Sequence, residues 1–152
     1  MTPIPNYILT IGDIDIAART IAREAGAEPW EGQVAVAEVL INRVRIALAN
    51  ARGAAQVHDH CIAAACLRRL QFSCWNLNDP NRQKAMAMLG TEPMYQKAEK
   101  AFMEAWTNGT DLTGGAVNYH TVARPRWAVV WPPSWAGRMR RTVAIGAHVF
   151  YA

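Results

Sequence analysis

"ARTIAREAGAEPWEGQVAVAEVLINRV", residues 18–44, holds the end of one helical pattern and the start of another. Ile14, Ala17, Ala18, Ile21 and Ala25 recur at the period of a helix with one apolar face. A first helix is therefore expected over residues 13–25, with Asp13 or Asp15 favouring its N-terminal turn. Gly26 is the expected stop, and Pro29 the expected first-turn residue of a second helix over residues 30–51. In that second helix Val34, Val36, Val39, Leu40, Ile41 and Val44 cover most of the circumference. Glu38, Asn42 and Arg45 leave only a narrow polar stripe, and a helix this apolar belongs at the centre of a domain.

Three glutamates crowd the junction. Glu28 and Glu31 suit the N-terminal end of the second helix, where the dipole favours negative charge. Glu24 lies roughly 80° from the middle of the first helix's apolar stripe, whereas Arg23 points away from the core. A carboxyl group at the edge of a buried face loses part of its hydration, which disfavours the anion and suits a proton donor. By helix position alone, an ordinary boundary carboxylate explains Glu24 as well.

The remaining text is helical and then changes character. A short helix over 60–66 precedes the aromatic loop QFSCWN (71–76), and Asp79 caps a helix reaching about residue 89. A further helix runs over 93–107 and stops at Asn108-Gly109. Turn chemistry at DLTGG (111–115) leads into a short strand over 116–121. A second strand is expected at 129–131, and a closing hairpin pairs 141–145 with 148–151 around Gly146-Ala147. The expected fold class is α+β: mainly α-helical, with a small C-terminal antiparallel sheet, in a single domain over 1–152.

Composition narrows the function classes. With 51% hydrophobic and 18% charged residues, the chain is neither disordered nor fibrous. No apolar run approaches the roughly 18 to 20 residues that cross a bilayer, so no membrane insertion is expected. The N-terminal text lacks a basic start and does not read as a secretory signal. A net charge of +4 suits an anionic polymer, nucleic acid or bacterial wall. The arginines at 124, 126, 138, 140 and 141 form no long stripe and no recognition motif, which disfavours nucleic acid.

Three cysteines cannot all pair within one chain; a Cys66–Cys74 bond is open. The segment His58-Asp59-His60-Cys61 is dense in ligand types but has no common zinc spacing, so no metal and no cofactor are expected. A thiol peptidase or amidase would need Cys61 or Cys74 as nucleophile and His120 as base.

Two blocks carry the groups a sugar site needs. The loop 71–76 offers aromatic and amide side chains, and Asn118-Tyr119-His120 adds hydrogen-bonding groups on a strand. With six tryptophans and four tyrosines, aromatic platforms are available for a sugar's apolar faces.

In order along the chain, residues 18–44, QFSCWN (71–76), DLTGGAVNYH (111–120) with RPRWA (124–128), and IGAHVFYA (145–152) resemble the SleB-like cell-wall hydrolases. That family includes spore-cortex lytic enzymes and phage-type lysins. The resemblance implies a lysozyme-like domain that cleaves peptidoglycan glycan strands between N-acetylmuramic acid and N-acetylglucosamine. It further implies that the glutamate of a "GEA" element is catalytic, which falls on Arg23-Glu24-Ala25. Arg23 replaces the family's glycine, and Val117 stands where "THYH" has its first threonine.

On this resemblance Glu24 is the expected catalytic acid of a lytic transglycosylase, acting first as acid and then as base. Gln71, Ser73, Tyr119 and His120 are expected to orient sugar, while Phe72, Trp75 or Trp127 line the groove. Glu31 is the candidate auxiliary carboxylate, and Glu31 or Asp111 would take a second catalytic role in a muramidase-type hydrolase. A wall-binding or phage structural module without turnover is the non-enzyme alternative. The expected protein is a monomer made in the cytoplasm that reaches the wall by holin-assisted release or in a phage-like particle.

Overall fold

The computed structural model describes residues 3–50 and 59–152. Helix α1 (Ile11–Ala25) starts earlier than residue 13 because Thr10, not an aspartate, caps it. The Thr10 hydroxyl accepts the Asp13 N–H at 3.0 Å, and the Asp13 carboxylate accepts the Thr10 N–H at 3.2 Å. This reciprocal pair satisfies two donors that a helix start leaves open. The other Asp13 oxygen accepts the Ala63 N–H at 2.9 Å, fixing the start of the short helix α3 (Ile62–Leu67) against α1. Burial pushes the Asp13 carboxyl up, but the N–H groups of Ala63 and Thr10 with the Thr10 and Tyr7 hydroxyls outweigh it, so it lies below its ordinary value.

The long helix α2 (Trp30–Asn50) is the centre of the molecule, as its apolar text requires: every residue from 32 to 42 is buried. Pro29 stands just outside it, its carbonyl accepting the N–H groups of Gly32 and Gln33. Glu38 and Asn42 of the polar stripe are buried too and act as a rail, while Arg45 is exposed. Glu38 accepts the N–H groups of Leu112 (2.9 Å) and Thr113 (2.8 Å), and Asn42 donates to the Ala116 carbonyl at 3.0 Å. Arg43 donates to the Val117 carbonyl at 3.1 Å. These bonds hold the turn 111–117 and so place the strand that follows it.

Helix α4 (Pro80–Ala87) is capped by Asp79 and ends short of residue 89. Helix α5 (Pro93–Asn108) packs across α1 and α2 and closes on Gly109, whose φ of 59° is the left-handed cap that glycine tolerates. Three strands, β1 (Asn118–Thr121), β2 (Arg141–Ile145) and β3 (His148–Tyr151), form an antiparallel sheet in the order β1-β3-β2. The expected strand at 129–131 does not form. Val129 is 89% exposed, and Pro132 and Pro133 remove the N–H groups a ladder would need.

The central strand β3 is buried at all four positions. In register, Tyr119 faces Phe150 and Thr121 faces His148, so these side chains share the face turned toward the helices. Phe150, Ala116 and partly buried Tyr119 join the same apolar core as α1, α2 and α5. The opposite face, with Val149, Tyr151 and Trp135, makes a second small cluster. The β2–β3 turn is pinned from afar: Glu28 accepts the Ala147 N–H at 2.9 Å. Gly146 beside it has φ 56°, and a Cβ there would collide with the Glu28 carboxylate.

Candidate active site

Glu24 sits in the last turn of α1, half-buried, where that helix meets the loop 71–76 and the edge strand β1. Three donors converge on its carboxylate. The Ser73 hydroxyl (3.4 Å) and the Cys74 N–H (3.2 Å) reach Oε1, and the Tyr119 hydroxyl reaches Oε2 at 3.3 Å. The loop can present Ser73 and Cys74 together because residues Ser73–Trp75 form a single 3-10 turn. Tyr119 is held in place by its ring, edge-on to His148 (centroids 4.8 Å) and tilted against Phe150 (5.6 Å). Burial first, and then the Glu24 charge, hold the Tyr119 phenol well above its ordinary value. It therefore stays protonated and donates to Glu24 at any working pH.

These groups floor a depression of about 340 Å³ running along β1. Gln71, Ser73, Tyr119, His120 and Trp127 all line it, as do Trp131, Trp135, Asn76 and His148. Glu24 is the only carboxylate among its described lining residues. Adjacent strand residues point to opposite faces, yet Tyr119 and His120 both reach the cleft because β1 is the edge of the sheet.

His120 is tied on both ring nitrogens. Its Nδ1 lies 2.8 Å from the Thr121 carbonyl, which can only accept, so Nδ1 donates there, and Nε2 shares a hydrogen bond with the Tyr151 hydroxyl at 2.9 Å. Edge contacts with Trp131 (4.9 Å) and Trp135 (5.9 Å) complete an aromatic box around it. Trp127 is 79% exposed, on a loop whose backbone Arg124 clamps through the Ala128 and Val129 carbonyls. The exposed ring on this braced loop offers a flat apolar face to the cleft.

Several expected residues stand elsewhere. Phe72 is 2% exposed and packs behind Tyr119 (6.4 Å), so it supports the site from within. The Trp75 indole N–H donates to the Thr20 hydroxyl at 2.9 Å, which turns its ring toward a neighbouring depression. Glu31 is exposed in the first turn of α2, outside the cleft lining. Asp111 accepts the Gly115 N–H within its own turn and lines a different hollow with Glu38. Arg23 reaches Asn81 on α4, and no ion pair involves Glu24 among the described residues.

His148 was not anticipated. Its side chain is buried, Nδ1 has no hydrogen-bond partner, and burial lowers its basicity against the opposing charges of Glu28 and Glu24. A neutral imidazole in the cleft wall follows. Position 148 opens an apolar strand, HVFY, and that text alone does not separate a site residue from a core one.

The cysteines fit no nucleophile. All three are free. Burial pushes the Cys66 thiol up to about 12, and burial with the Glu24 charge drives Cys74 higher still. Cys61 accepts the Ala64 N–H at the start of α3, and His120 has no nitrogen to spare. Asp59 is taken up in ion pairs with Arg43 (2.9 Å) and Arg68 (3.3 Å). No cluster of three or more metal-ligating side chains occurs among the described residues; His58 lies outside them.

The helical body with its small antiparallel sheet thus carries a cleft with a single carboxylate among its described lining residues, ringed by aromatic, amide and hydroxyl groups. The family model described as cell wall hydrolase matches residues 27–151, and the chain belongs to that family. Cleavage of the wall polymer peptidoglycan comes with that membership. Two solved structures are similar over the whole fold. The catalytic domain of the Bacillus cereus SleB protein is 25% identical, with a TM-score of 0.69, covering 100% of this chain and 98% of that one. The catalytic domain of the germination-specific lytic transglycosylase SleB from Bacillus anthracis is 26% identical, with a TM-score of 0.64, covering 98% and 100%. No curated protein matches. The family match begins at residue 27, beyond Glu24, whereas the structural likeness includes α1.

Proposed function

We propose that this protein cleaves the glycan strand of peptidoglycan between N-acetylmuramic acid and N-acetylglucosamine as a lytic transglycosylase, with Glu24 as its one catalytic acid and base. The observation that carries the reading is the solitary carboxylate. Hydrolysis of a glycoside normally recruits two, one as proton donor and one to activate water or attack the sugar. The cleft offers Glu24 and no second carboxylate among its described lining residues.

A single group suffices if the sugar supplies its own nucleophile. Glu24, protonated, gives its proton to the glycosidic oxygen as the C1–O bond breaks and charge builds at C1 of the muramic sugar. The resulting carboxylate then takes the proton of that sugar's C6 hydroxyl, and O6 closes on C1. The product is a 1,6-anhydro end, no water is consumed, and Glu24 recovers its proton. The donors from Ser73, Cys74 and Tyr119 favour the carboxylate formed midway and fix its direction. The Bacillus anthracis relative, a lytic transglycosylase by name, supports the same subclass.

Glu24→Gln tests the assignment. The amide keeps the shape and loses the proton, so the variant is expected to fold like the wild type and to lose about 10³-fold or more of its activity on purified sacculi, at the upper range for acid–base groups. Turnover within tenfold of wild type would remove Glu24 from the mechanism.

A further inference from the structure

Beside the Glu24 cleft lies a second depression of about 480 Å³, formed by the segment from Leu67 to Asn78. The two share Leu70 and Asn76, so one runs into the other. Three leucines in it face solvent: Leu67 is 48%, Leu70 73% and Leu77 81% exposed. Arg68 and Arg69 line it as well, with no acidic side chain among the described lining residues. Arg68 leans on Asp59, but Asp59 is already paired with Arg43, so two guanidinium groups share one carboxylate, and Arg69 adds a further positive charge to the lining. The surface is therefore both apolar and positively charged, and Trp75 forms a fixed wall through its bond to Thr20.

The backbone adds an independent sign. Leu70 has φ 62°, a left-handed conformation that a leucine adopts only at a cost and that turns its side chain outward at the junction of the two depressions. Such strain persists where the surrounding structure imposes it, commonly at binding sites.

We propose that this depression binds the stem peptide of the same peptidoglycan strand whose glycan lies in the Glu24 cleft, an inference that rests on the glycan reading above. The peptide hangs from the lactyl group of muramic acid, so it must leave the cleft beside the sugar. It carries free carboxylates for Arg69 and Arg68 and the methyl groups of its alanines for the leucines. The volume falls within the usual range of small-ligand sites. The expected consequence is a preference for peptide-bearing strands over bare glycan.

Arg69→Glu and Leu77→Asp alter this surface alone, since neither residue lines the Glu24 cleft. Steady-state digestion is compared on peptide-bearing strands and on strands stripped by an amidase. Each variant should raise KM about five- to tenfold on the former with kcat unchanged, and should match wild type on the latter. Equal behaviour of wild type and variants on both substrates would overturn the proposal. A second arm does not depend on catalysis: NMR titration of the wild-type protein with a soluble stem tetrapeptide. Shifts confined to residues 67–78 and abolished by Arg69→Glu are expected. No shift with the peptide, or shifts there only with a polyglycerol phosphate, would overturn it. Failure of the wild type to cleave either substrate would defeat the glycan reading, and the titration would then decide the peptide site alone.

Discussion

Tyr119→Phe removes one oxygen and leaves the ring. The ring is what packs, against Phe150, His148 and buried Phe72, so the fold should keep its stability to within about 1 kcal/mol. The lost hydroxyl is one of three donors on Glu24, and at 3.3 Å it is longer than an ideal bond to a carboxylate. Hydrogen bonds to charged groups contribute about 1.5–3 kcal/mol, and the long distance points to the lower end. At 1.36 kcal/mol per decade, a loss of about 1.5 kcal/mol from the transition state is roughly tenfold in rate. The donor acts on Glu24 and not on the sugar, so kcat should fall and KM should stay. The assay is release of soluble muropeptides from purified sacculi, with thermal melting in parallel. A rate within twofold of wild type, or a loss that follows unfolding, would refute the role of the hydroxyl.

Glu38→Ala should cost about 2–4 kcal/mol in urea unfolding, because it strands the buried N–H groups of Leu112 and Thr113 that place β1. A change below 0.5 kcal/mol, roughly the size of a surface substitution, would contradict the rail. His148 gives a pH signature. Its folded value is lowered, so between that value and about 6.5 the unfolded chain binds the extra proton, and stability falls as pH drops through this window. Above about 6.5 the imidazole is neutral in both states and costs nothing. His148→Leu should flatten the decline between pH 6.5 and 5 in thermal melts; parallel slopes for the two proteins would contradict a buried neutral imidazole.

The helices were legible where burial follows a simple period. Ala17, Ala18, Ile21 and Ala25 fell on one face, and the near-continuous apolar text of residues 34–41 marked the central helix. Glu24 was readable as a boundary residue because helix geometry fixes its angle to that face. Position within the loop 71–76 was not readable, since irregular backbone has no period: Phe72 turned inward and Trp75 turned to the neighbouring hollow. Glu38 and Asn42 gave the opposite difficulty. A polar stripe reads as surface unless one knows that the turn 111–117 lies across it. Trp131 and Trp135 reach the cleft through a long connection whose course depends on Arg124 gripping carbonyls, a bond no local pattern announces. Val129 and Val130 promised a strand by composition, and the prolines after them prevented it.

The central claim is that one carboxylate suffices because the substrate supplies the nucleophile. Digestion of purified peptidoglycan in oxygen-18 water, followed by mass spectrometry of the muropeptides, tests it most directly. The account predicts 1,6-anhydromuramic ends, each lighter than a reducing end by one water and free of oxygen-18. Reducing ends carrying oxygen-18 would contradict it and would require a second group to activate water.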